Sequence, residues 1–452
     1  MAARFTAAEV CQALGLPRDG RIGDFSSVST DTRDLQPGAL FVALRGERFD
    51  GTDFVERAER LGAAGAVVPA SSGGPAVDFP LFSVPDTTAA LGNLARFYRR
   101  RSGARVVGVT GSSGKTTVKE MLACAIGSEK LVHATKGNLN NQVGLPLSIL
   151  AAEEGADVWV LELGSSEPGE IWRLTSIAEP DDAVITTVGP AHLEGLGDVS
   201  GVLEEKLALL QGSSRAGCAV VGELPEALPA GARQVRPDTV TAGLGPTCDF
   251  RPSEWHVGAT RVDFVHEGTD YSVPVGGEHH LRDALIAAAT ADGLGVSPAG
   301  AAEGLTGYRP IGNRGALIQV GQLTIVADCY NANPESFAAA IRYCEESFPG
   351  RRLAAVAGSM LELGSAEEHA HTDVAADLLR CGFSLVLAIG AFQAAFQSLS
   401  LPEGVTVRYP PSVEGASEEL AERLRGDEVL LVKASRGMRL ERVIDALTGG
   451  EA

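Results

Sequence analysis

Short apolar runs alternate with longer amphipathic segments along most of the chain, and this pattern predicts an α/β protein. In the middle of the chain, nearly continuous apolar runs occupy residues 106–109, 158–163, 183–188 and 218–222. Runs of this kind are typical of strands that are buried on both faces of a parallel sheet. Because segments with helical periodicity separate them, we predict a mostly parallel sheet covered by helices over residues 104–309.

The pattern changes on the C-terminal side of this sheet. Residues 249–275 alternate between polar and apolar positions with Gly and Asp turns, which predicts an antiparallel appendage, and an alanine-rich helix is expected at residues 281–293. The rest of the chain predicts a second α/β series. No GxGxxG motif follows any of its strands, so a dinucleotide site is not indicated. These strands are predicted at residues 323–327, 353–357, 385–389, 405–408 and 429–432.

The start of the chain predicts a smaller α/β unit. An amphipathic helix opens it, and strands at residues 40–44 and 64–68 flank a helix at residues 53–61. A length of 452 residues allows about three domains, each with its own core. The changes of pattern predict these domains at residues 1–100, 101–311 and 312–452.

Composition and charge exclude several classes of protein. The chain is 44% hydrophobic and 21% charged, has no apolar run long enough to cross a bilayer, and lacks a signal peptide at its start. We therefore expect a cytoplasmic protein, and we also expect a monomer. The net charge of −20 disfavours nucleic acid or an anionic membrane as a partner. Seven dispersed cysteines without a CxxC pair predict reduced thiols, and neither a disulfide framework nor a zinc site.

The segment RVVGVTGSSGKTTVKE, residues 105–120, has the strand, glycine turn and helix start of a phosphate-binding loop. Glycines let several backbone N–H groups converge on one anion, and the helix N-terminus adds partial positive charge. Lys115 would reach the terminal phosphates and Thr116 would offer a hydroxyl to Mg²⁺. The general motif is only partly met, because Val109 stands where it has glycine. The alternative is an ordinary glycine turn before a helix.

Polar residues follow two of the predicted buried strands. Ligands bind outside the carboxyl ends of strands in open α/β sheets, so Glu162 could hold Mg²⁺ beside the loop; the alternative is an acid that caps the next turn. His192 follows the next strand, although a lone histidine is more often structural. Lys206 lies on a helix, and its spacing alone indicates an ordinary surface lysine.

Two loop regions carry candidate binding residues. The segment 135–150 concentrates amides, which suit a base or peptide edge but also plain turns. In the first domain, the STDTR loop at residues 29–33 and Arg45 carry hydroxyls and guanidinium groups, which suit a sugar-nucleotide phosphate. On these residues alone, a solvated loop with turn chemistry is the favoured interpretation.

Taken together, the motifs resemble the Mur ligases of peptidoglycan synthesis over essentially the whole chain. The matching segments, in order and spacing, are TGSSGKTT at 110–117, GNLNNQVGLPLSIL at 137–150, TTVGPAHLEGLG at 186–197 with Lys206, DCYNANPESF at 328–337, VAGSMLELG at 356–364 with His371, and LVKASRGMRLERV at 431–443. Two of them, YNANP at 330–334 and KASRGMRLE at 433–441, are most similar to the branch that adds a D-alanyl-D-alanine dipeptide.

The resemblance implies an ATP-dependent amide ligase with three domains. A small α/β N-terminal domain would hold UDP-MurNAc-tripeptide, a central P-loop domain with a mostly parallel sheet would hold ATP and Mg²⁺, and a Rossmann-like α/β C-terminal domain would hold D-Ala-D-Ala. An acyl phosphate would form on the tripeptide and react with the dipeptide amine. The alternatives are a related ligase adding one amino acid, against which YNANP argues, and a non-catalytic nucleotide-binding regulator of the cell wall. The regulator would be expected to lack Lys115, Glu162 or Lys206, and all three are present.

The resemblance also implies residue roles, carried over by position. It implies catalytic roles for Lys115, His192 and Lys206, the last matching a lysine that is carbamylated in the family, and metal binding by Thr116, Glu162, His192 and Lys206. It implies ATP binding by Thr110, Gly111, Ser112, Ser113, Gly114, Lys115, Thr116, Thr117, Asn138, Arg314, Asp328 and Asn331. It implies substrate binding by Ser29, Thr30, Asp31, Arg33, Arg45, Asn140, Asn141, Tyr330, Asn333, Ser435 and Arg436.

The chain departs from the family pattern at two places. The family usually shows G-x-H-N-x-x-N before the last helix of the central domain, whereas this chain has GEHHLRD, with His280 and Asp283 in place of the asparagines. This change affects the expected contacts to adenine. Ser359 replaces the acid of a GDM motif. Because every residue with an implied phosphate or metal role is present, we interpret both changes as tuning of the activity.

Overall fold

The structure is a computed structural model that describes residues 3–449, apart from residues 19, 21, 22, 47, 48 and 73–75. The ends of the first and third predicted domains, residues 1–2 and 450–452, lie outside the described residues. The described strands form two six-stranded sheets and smaller sheets of four, three and two strands. Among the described helices, none combines the length and apolar character needed to cross a bilayer.

The N-terminal unit is built on four parallel strands in the order β3-β4-β5-β6, with β1 and β2 paired antiparallel beside them. A capping box between Thr6 and Glu9 starts its first helix. The elements are β1 (Phe5–Thr6), α1 (Ala7–Leu14), β2 (Asp24–Phe25), β3 (Ser27–Ser29), β4 (Ala39–Val42), α2 (Val55–Arg60), β5 (Gly65–Pro69), β6 (Leu81–Val84) and α3 (Thr87–Ser102), with short 3-10 helices at Gly51–Phe54 and Ala70–Ser72.

The central unit contains the predicted parallel sheet, with strand order β12-β11-β10-β7-β9-β8. The predicted antiparallel appendage is the three-stranded sheet β13-β14-β15. The elements are β7 (Arg105–Thr110), α4 (Lys115–Gly127), β8 (Val132–Ala134), α5 (Gly144–Leu150), β9 (Val158–Glu162), α6 (Glu170–Ala178), β10 (Asp182–Ile185), α7 (Leu193–Leu196), α8 (Val199–Gly212), β11 (Ala219–Gly222), α9 (Ala227–Val235), β12 (Val240–Ala242), β13 (Glu254–Val257), β14 (Val262–His266), β15 (Thr269–Val273), α10 (Glu278–Gly293) and α11 (Pro298–Thr306).

The C-terminal unit has a second six-stranded sheet, in the order β16-β17-β21-β18-β19-β20. Its strands are parallel except that β16 pairs antiparallel with β17, and the sequence prediction missed β16. The elements are β16 (Ala316–Val320), β17 (Leu323–Asp328), α12 (Pro334–Ser347), β18 (Leu353–Ala357), α13 (Glu367–Arg380), β19 (Phe383–Ala388), α14 (Ala391–Gln397), β20 (Thr406–Arg408), α15 (Val413–Arg423), β21 (Val429–Lys433) and α16 (Glu441–Thr448), with 3-10 helices at Gly364–Ala366 and Arg436–Met438. Three α/β units therefore make up an α/β fold.

The strand order of the central sheet places the site. The chain continues from β7 to β8 and β9 on one side and to β10, β11 and β12 on the other, so a crevice opens at the carboxyl end of β7. The predicted strand 183–188 ends early, at Ile185. It ends there because the following residues leave the sheet to hold the predicted phosphate loop, with Ser112 N–H donating to the carbonyl of Thr187 at 2.9 Å.

Candidate active site

A cavity of about 620 Å³ lies between the central and C-terminal units. Its size suits a small-molecule ligand, and the phosphate loop, the end of β9, the start of α10 and the start of α12 contribute to its walls. The predicted residues that line it are Ser112, Ser113, Gly114, Lys115, Thr116, Thr117, Asn140, Asn141, Glu162, His192, Arg314, Asp328, Tyr330, Asn331 and Asn333. The predicted residues that do not line it are Thr110, Gly111, Asn138, Lys206, Ser435, Arg436 and those of the N-terminal unit.

Two glycines shape the loop after β7. Gly111 and Gly114 have φ values of 148° and 79°, which residues with a side chain rarely adopt. A Cβ at Gly111 would lie 2.0 Å from the hydroxyl oxygen of Thr186, and one at Gly114 would lie 2.5 Å from Oδ1 of Asp283. Since Gly114 is also the N-cap of α4, the loop is folded tightly onto the start of that helix.

Lys115 folds back over this loop. Its Nζ donates to the carbonyl oxygens of Gly111 at 2.7 Å and Ser112 at 3.2 Å. Burial lowers the pKa of Lys115, while the charge of Glu162 acts in the opposite direction. The amino group therefore lies at the N-terminus of α4, where an anion would meet both this side chain and the free N–H groups of the helix.

Oxygen atoms that suit Mg²⁺ lie beside the loop. The hydroxyl of Thr116 donates to Oε2 of Glu162 at 2.8 Å, and Nδ2 of Asn140 donates to Oε1 at 2.7 Å. Glu162 is 1% exposed and is the last residue of β9. Within the described residues, no cluster of three or more His, Cys, Asp or Glu side chains could hold a metal. A hydroxyl and a carboxylate fit Mg²⁺, because this ion keeps several waters and takes further oxygens from substrate phosphates.

Lys206 is not the surface lysine that its spacing indicated. It is 1% exposed on α8, and its Nζ donates to Oγ of Ser165 at 2.7 Å. Burial, together with the charge of Lys115, lowers the pKa of Lys206 to about 7. A substantial fraction of this amine is therefore uncharged at neutral pH, and an uncharged amine can act as a nucleophile.

His192 joins the central and C-terminal units. It lines the cavity at the N-cap of α7, and its Nδ1 makes a short hydrogen bond with Oε2 of Glu362. Burial and the charge of Lys115 lower the pKa of His192, whereas the carboxylate of Glu362 acts to raise it. The imidazole is therefore held at the cavity wall by a residue from the other unit.

The start of α12 reaches the phosphate loop from the C-terminal unit. Asn333 caps this helix by accepting from the N–H of Ser336 at 2.8 Å, and its Nδ2 donates to Oγ of Ser113 at 3.1 Å. The hydroxyl of Thr187 donates to Oε2 of Glu335 at 3.5 Å. Burial raises the pKa of Glu335. Both units therefore contribute to one site.

Cationic and aromatic groups of the C-terminal unit lie in another wall of the cavity or close behind it. Nζ of Lys433 donates to Oδ2 of Asp328 at 2.5 Å and to the carbonyl of Asn331 at 3.2 Å. The guanidinium carbon of Arg314 lies 3.5 Å from the ring centroid of Tyr330, and that of Arg436 lies 5.2 Å from it. Such contacts hold guanidinium groups in place near the cavity.

The family departures have structural explanations. Asp283 packs against Gly114, and burial together with the charge of Glu335 raises the pKa of Asp283. A raised pKa favours the neutral carboxyl, which combines a donor with an acceptor, as an asparagine amide does with its two N–H donors and its carbonyl oxygen. His280 is buried at the start of α10, with Nδ1 2.7 Å from the carbonyl oxygen of Gly276.

Ser359, the second departure from the family pattern, makes a hydrogen bond to the backbone. Its Oγ accepts from the N–H of Ala391 at 2.8 Å, at the first residue of α14. An acid could accept the same bond, so the hydrogen bond at this position does not require one. Nearby, Nε2 of His371 accepts from the N–H of Met360 at 2.9 Å.

The predicted residues of the N-terminal unit lie away from the cavity, with Arg33 and Arg45 exposed and the others half-buried. Ser29 is the last residue of β3, residues 30–33 follow it, and Arg45 follows the neighbouring strand β4, so both segments lie at the same edge of the parallel sheet. Asp31 pairs with Arg33 at 2.5 Å, and Arg45 pairs with Asp50 at 2.8 Å. Hydrogen bonds from Arg33 lower the pKa of Asp31 to about 2. A sugar-nucleotide role for these loops remains a prediction.

Of three further predicted residues, one is exposed and two contact the backbone. Asn138 is exposed and lies outside the cavity. Asn141 accepts from two backbone N–H groups at the start of α5, the nearer at 2.8 Å. The hydroxyl of Ser435 accepts from the N–H of Leu361 at 2.9 Å. The side chains of Asn141 and Ser435 therefore support loops near the cavity.

Sequence reasoning missed several side chains near or lining the cavity, among them Ser165, Glu335, Arg342 and Glu362. Glu335 and Glu362 lie inside motifs that carried the resemblance, where an acid beyond a strand end is itself a signal. Arg342 lies two helical turns after Glu335 on α12, which places both on one face. Ser165 follows Glu162 closely, but only the fold brings it to Lys206.

Family models match three consecutive parts of the chain. Residues 24–99 match the catalytic domain of the Mur ligase family, residues 109–291 match the Mur ligase middle domain, and residues 313–436 match the Mur ligase glutamate ligase domain. The three matches therefore follow the order of the three α/β units.

The chain is also similar to individual proteins over nearly its whole length. It is 36% identical to the UDP-N-acetylmuramoyl-tripeptide--D-alanyl-D-alanine ligase of Bacillus subtilis, covering 93% of this chain and 92% of that protein. The Escherichia coli protein of the same name is 34% identical, covering 93% of each.

Solved structures agree with this similarity. MurF from Acinetobacter baumannii superposes with a TM-score of 0.89 at 28% identity, covering 99% of each chain. Thermotoga maritima MurF ligase in complex with ADP superposes with a TM-score of 0.82 at 29% identity, covering 94% of this chain and 97% of that one. The chain belongs to the Mur ligase family.

Proposed function

We propose that this chain is an ATP-dependent ligase that joins D-Ala-D-Ala to UDP-MurNAc-tripeptide and releases ADP and phosphate. One observation carries the proposal: Lys115, the Thr116–Glu162 pair and Asn333 converge on a single cavity between two units. The names of the Bacillus subtilis and Escherichia coli relatives support the choice of substrates, because both are tripeptide--D-alanyl-D-alanine ligases.

ATP would bind with its phosphates on the loop after β7. The N–H groups at the start of α4 and the side chain of Lys115 would contact the β- and γ-phosphates. Arg314, Asp328 and Asn331 line the same cavity and would contact the rest of the nucleotide. The complex of Thermotoga maritima MurF with ADP supports the choice of nucleotide.

Thr116 and Glu162 would hold Mg²⁺, with His192 and a carbamylated Lys206 at a second position. When bound, the ion supplies positive charge that offsets the charge of the transferring phosphate. Asn140 would orient the carboxylate of Glu162, since it already donates to Oε1. Its role is then closer to metal positioning than to the substrate contact that the sequence indicated.

The reaction needs two bond changes on the tripeptide carboxylate. Its oxygen attacks the γ-phosphorus, and the bond from phosphorus to ADP breaks, which leaves an acyl phosphate. The dipeptide amine then attacks the carbonyl carbon, phosphate leaves, and the nitrogen loses a proton to give the amide. Lys115 stabilises negative charge on the phosphoryl group in the first step. The C-terminal unit covers the phosphate loop through Asn333 and would exclude water from the acyl phosphate.

We further propose that the N-terminal unit, over residues 1–100, binds the nucleotide sugar through the segments that follow β3 and β4. In this role the guanidinium groups of Arg33 and Arg45 would exchange their carboxylate partners for phosphate. Ser435 and Arg436 would lie near the dipeptide. Because ATP and the nucleotide-linked substrate are small molecules of the cytoplasm, we place the reaction there. We also expect the chain to act as a monomer.

The test is the mass of the product. Purified protein is incubated with ATP, Mg²⁺, UDP-MurNAc-tripeptide and D-Ala-D-Ala, and we expect a gain of one dipeptide less one water. Lys115→Ala should lose activity by roughly 10²–10³-fold or more, because it removes a charge aimed at the phosphoryl group. ADP release at the same rate without the dipeptide would contradict the proposal.

A further inference from the structure

A carboxylate from the C-terminal unit reaches the histidine that lies in the wall of the cavity. Oε2 of Glu362 makes a short hydrogen bond with Nδ1 of His192, and the two residues are 170 positions apart in the chain. The N–H of Glu194 also donates to the carbonyl of Glu362, at 3.3 Å. The contact is therefore made by both the backbone and the side chain of Glu362.

The backbone at both residues is held in an uncommon conformation. His192 has a φ of 54° and Glu362 a φ of 65°, and they are two of five non-glycine residues with positive φ in the described part of the chain. Such residues persist only where surrounding contacts determine the backbone, and they concentrate at functional sites. Here the two strained positions face each other across the two units.

The loop that carries Glu362 is fixed by its own unit. The N–H of Met360 donates to Nε2 of His371, and the next N–H, of Leu361, donates to Oγ of Ser435. His371 itself is buried, with Nδ1 2.6 Å from the carbonyl oxygen of Glu367. Two consecutive backbone contacts therefore set the direction in which Glu362 leaves its loop.

We propose that Glu362 is a positioning residue for His192, which sets the tautomer and orientation of the imidazole when the C-terminal unit docks on the central unit. An ionised carboxylate only accepts hydrogen bonds, so Nδ1 must carry the proton. The lone pair of Nε2 is then free to act as an acceptor or a metal ligand in the cavity. Ligating histidines are usually oriented in this way by a partner on the other ring nitrogen.

Docking and chemistry are coupled by this arrangement. When the C-terminal unit is withdrawn, His192 loses the acceptor that selects its tautomer, and its ring is free to adopt either form. The inference deepens the proposed function and rests on it for the role of His192. The hydrogen bond and its effect on the tautomer are properties of the folded chain alone.

Two substitutions of Glu362 separate the effect of side-chain length from that of the left-handed backbone conformation. Glu362→Asn introduces a residue that tolerates the left-handed backbone but is one methylene shorter, so it should fold and fail to reach Nδ1. Glu362→Gln keeps the length and an acceptor oxygen. Glu194→Gln is the matched control, because it removes an exposed acid of the same interface and leaves the backbone contact of Glu194 with Glu362 in place.

Steady-state kinetics provide the first measurement. We expect Glu362→Asn to lower kcat roughly 10- to 100-fold while KM for the three substrates changes by less than about twofold. Glu362→Gln should recover most of the rate, and Glu194→Gln should match the unsubstituted chain. Equal kcat values for Glu362→Asn and Glu194→Gln would overturn the proposal.

Nitrogen-15 NMR of histidine-labelled protein with ADP provides the second measurement and does not depend on turnover. The His192 signal, assigned with His192→Gln, should show a protonated Nδ1 and an unprotonated Nε2, and Glu362→Asn should give a mixture of tautomers. An unchanged tautomer in Glu362→Asn would overturn the proposal. Absence of ligation in the unsubstituted chain would instead count against the proposed function, while this measurement would still decide the role of Glu362.

Discussion

Lys206 shows how burial changes the chemistry of one side chain. Its pKa is lowered to about 7, so the amine is mostly charged below that pH and mostly neutral above it. Only the neutral amine attacks carbon dioxide, and we therefore expect carbamate to increase as the pH rises through about 7. Carbon-13 NMR with labelled bicarbonate measures this directly.

The control for Lys206 is Lys206→Arg, which keeps the charge but has no amine that titrates near neutral pH. It should give no carbamate signal at any pH and should ligate poorly. A carbamate signal of the same size in this variant would show that another lysine is modified. A wild-type signal that does not change with pH would contradict the assigned effect of burial.

At the scale of elements, α12 connects the two units through its first turn. Asn333 both caps the helix and donates to Ser113 in the phosphate loop. We expect Asn333→Ala to lower the free energy of unfolding by about 1 kcal/mol through loss of the cap, and to raise KM for ATP. Thermal or denaturant unfolding and initial-rate kinetics measure the two effects.

Asn333→Ser separates the two roles of this residue. Serine is a good N-cap but is too short to reach Ser113, so the stability should be retained while KM for ATP still rises. If both variants change stability and KM together, the contact with the phosphate loop has no role of its own.

At the scale of the whole molecule, docking of the C-terminal unit brings acidic groups together. Burial, and after it the charge of Glu335, raises the pKa of Asp283, while Thr187 and Arg342 only partly offset the burial that raises the pKa of Glu335. A carboxyl whose pKa is raised by docking binds its proton more tightly in the docked form. Docking is therefore favoured at low pH and weakens as the pH rises from the ordinary carboxyl range through the raised values.

Small-angle scattering at several pH values tests this expectation. The unsubstituted chain should become more extended as the pH rises, whereas a chain with both Asp283→Asn and Glu335→Gln should stay compact. The asparagine at position 283 also restores the residue that the family usually has. An equal dependence on pH in the two proteins would show that other groups control docking.

Several features of this protein could be predicted from the sequence because they depend on neighbouring residues. Apolar runs indicated the parallel strands of the central sheet, since their burial on both faces leaves a local composition signal. The glycines and Lys115 indicated the phosphate loop, because its conformation is set by adjacent residues. The order of the motifs indicated the Mur ligase family, which the relatives confirm. The strand β16, a half-buried edge strand with a weak pattern, was missed.

The tertiary structure decided the features that depend on distant residues. Only packing removes Lys206 from water, brings Asn333 to Ser113 and pairs Glu362 with His192. Spacing along the chain carries no information on these distances, and the pKa of a side chain depends on the charges and solvent around it in three dimensions. The sequence by itself therefore determined the family and the local motif from which phosphate binding is predicted, whereas the fold decided which side chains from separate units meet in one site.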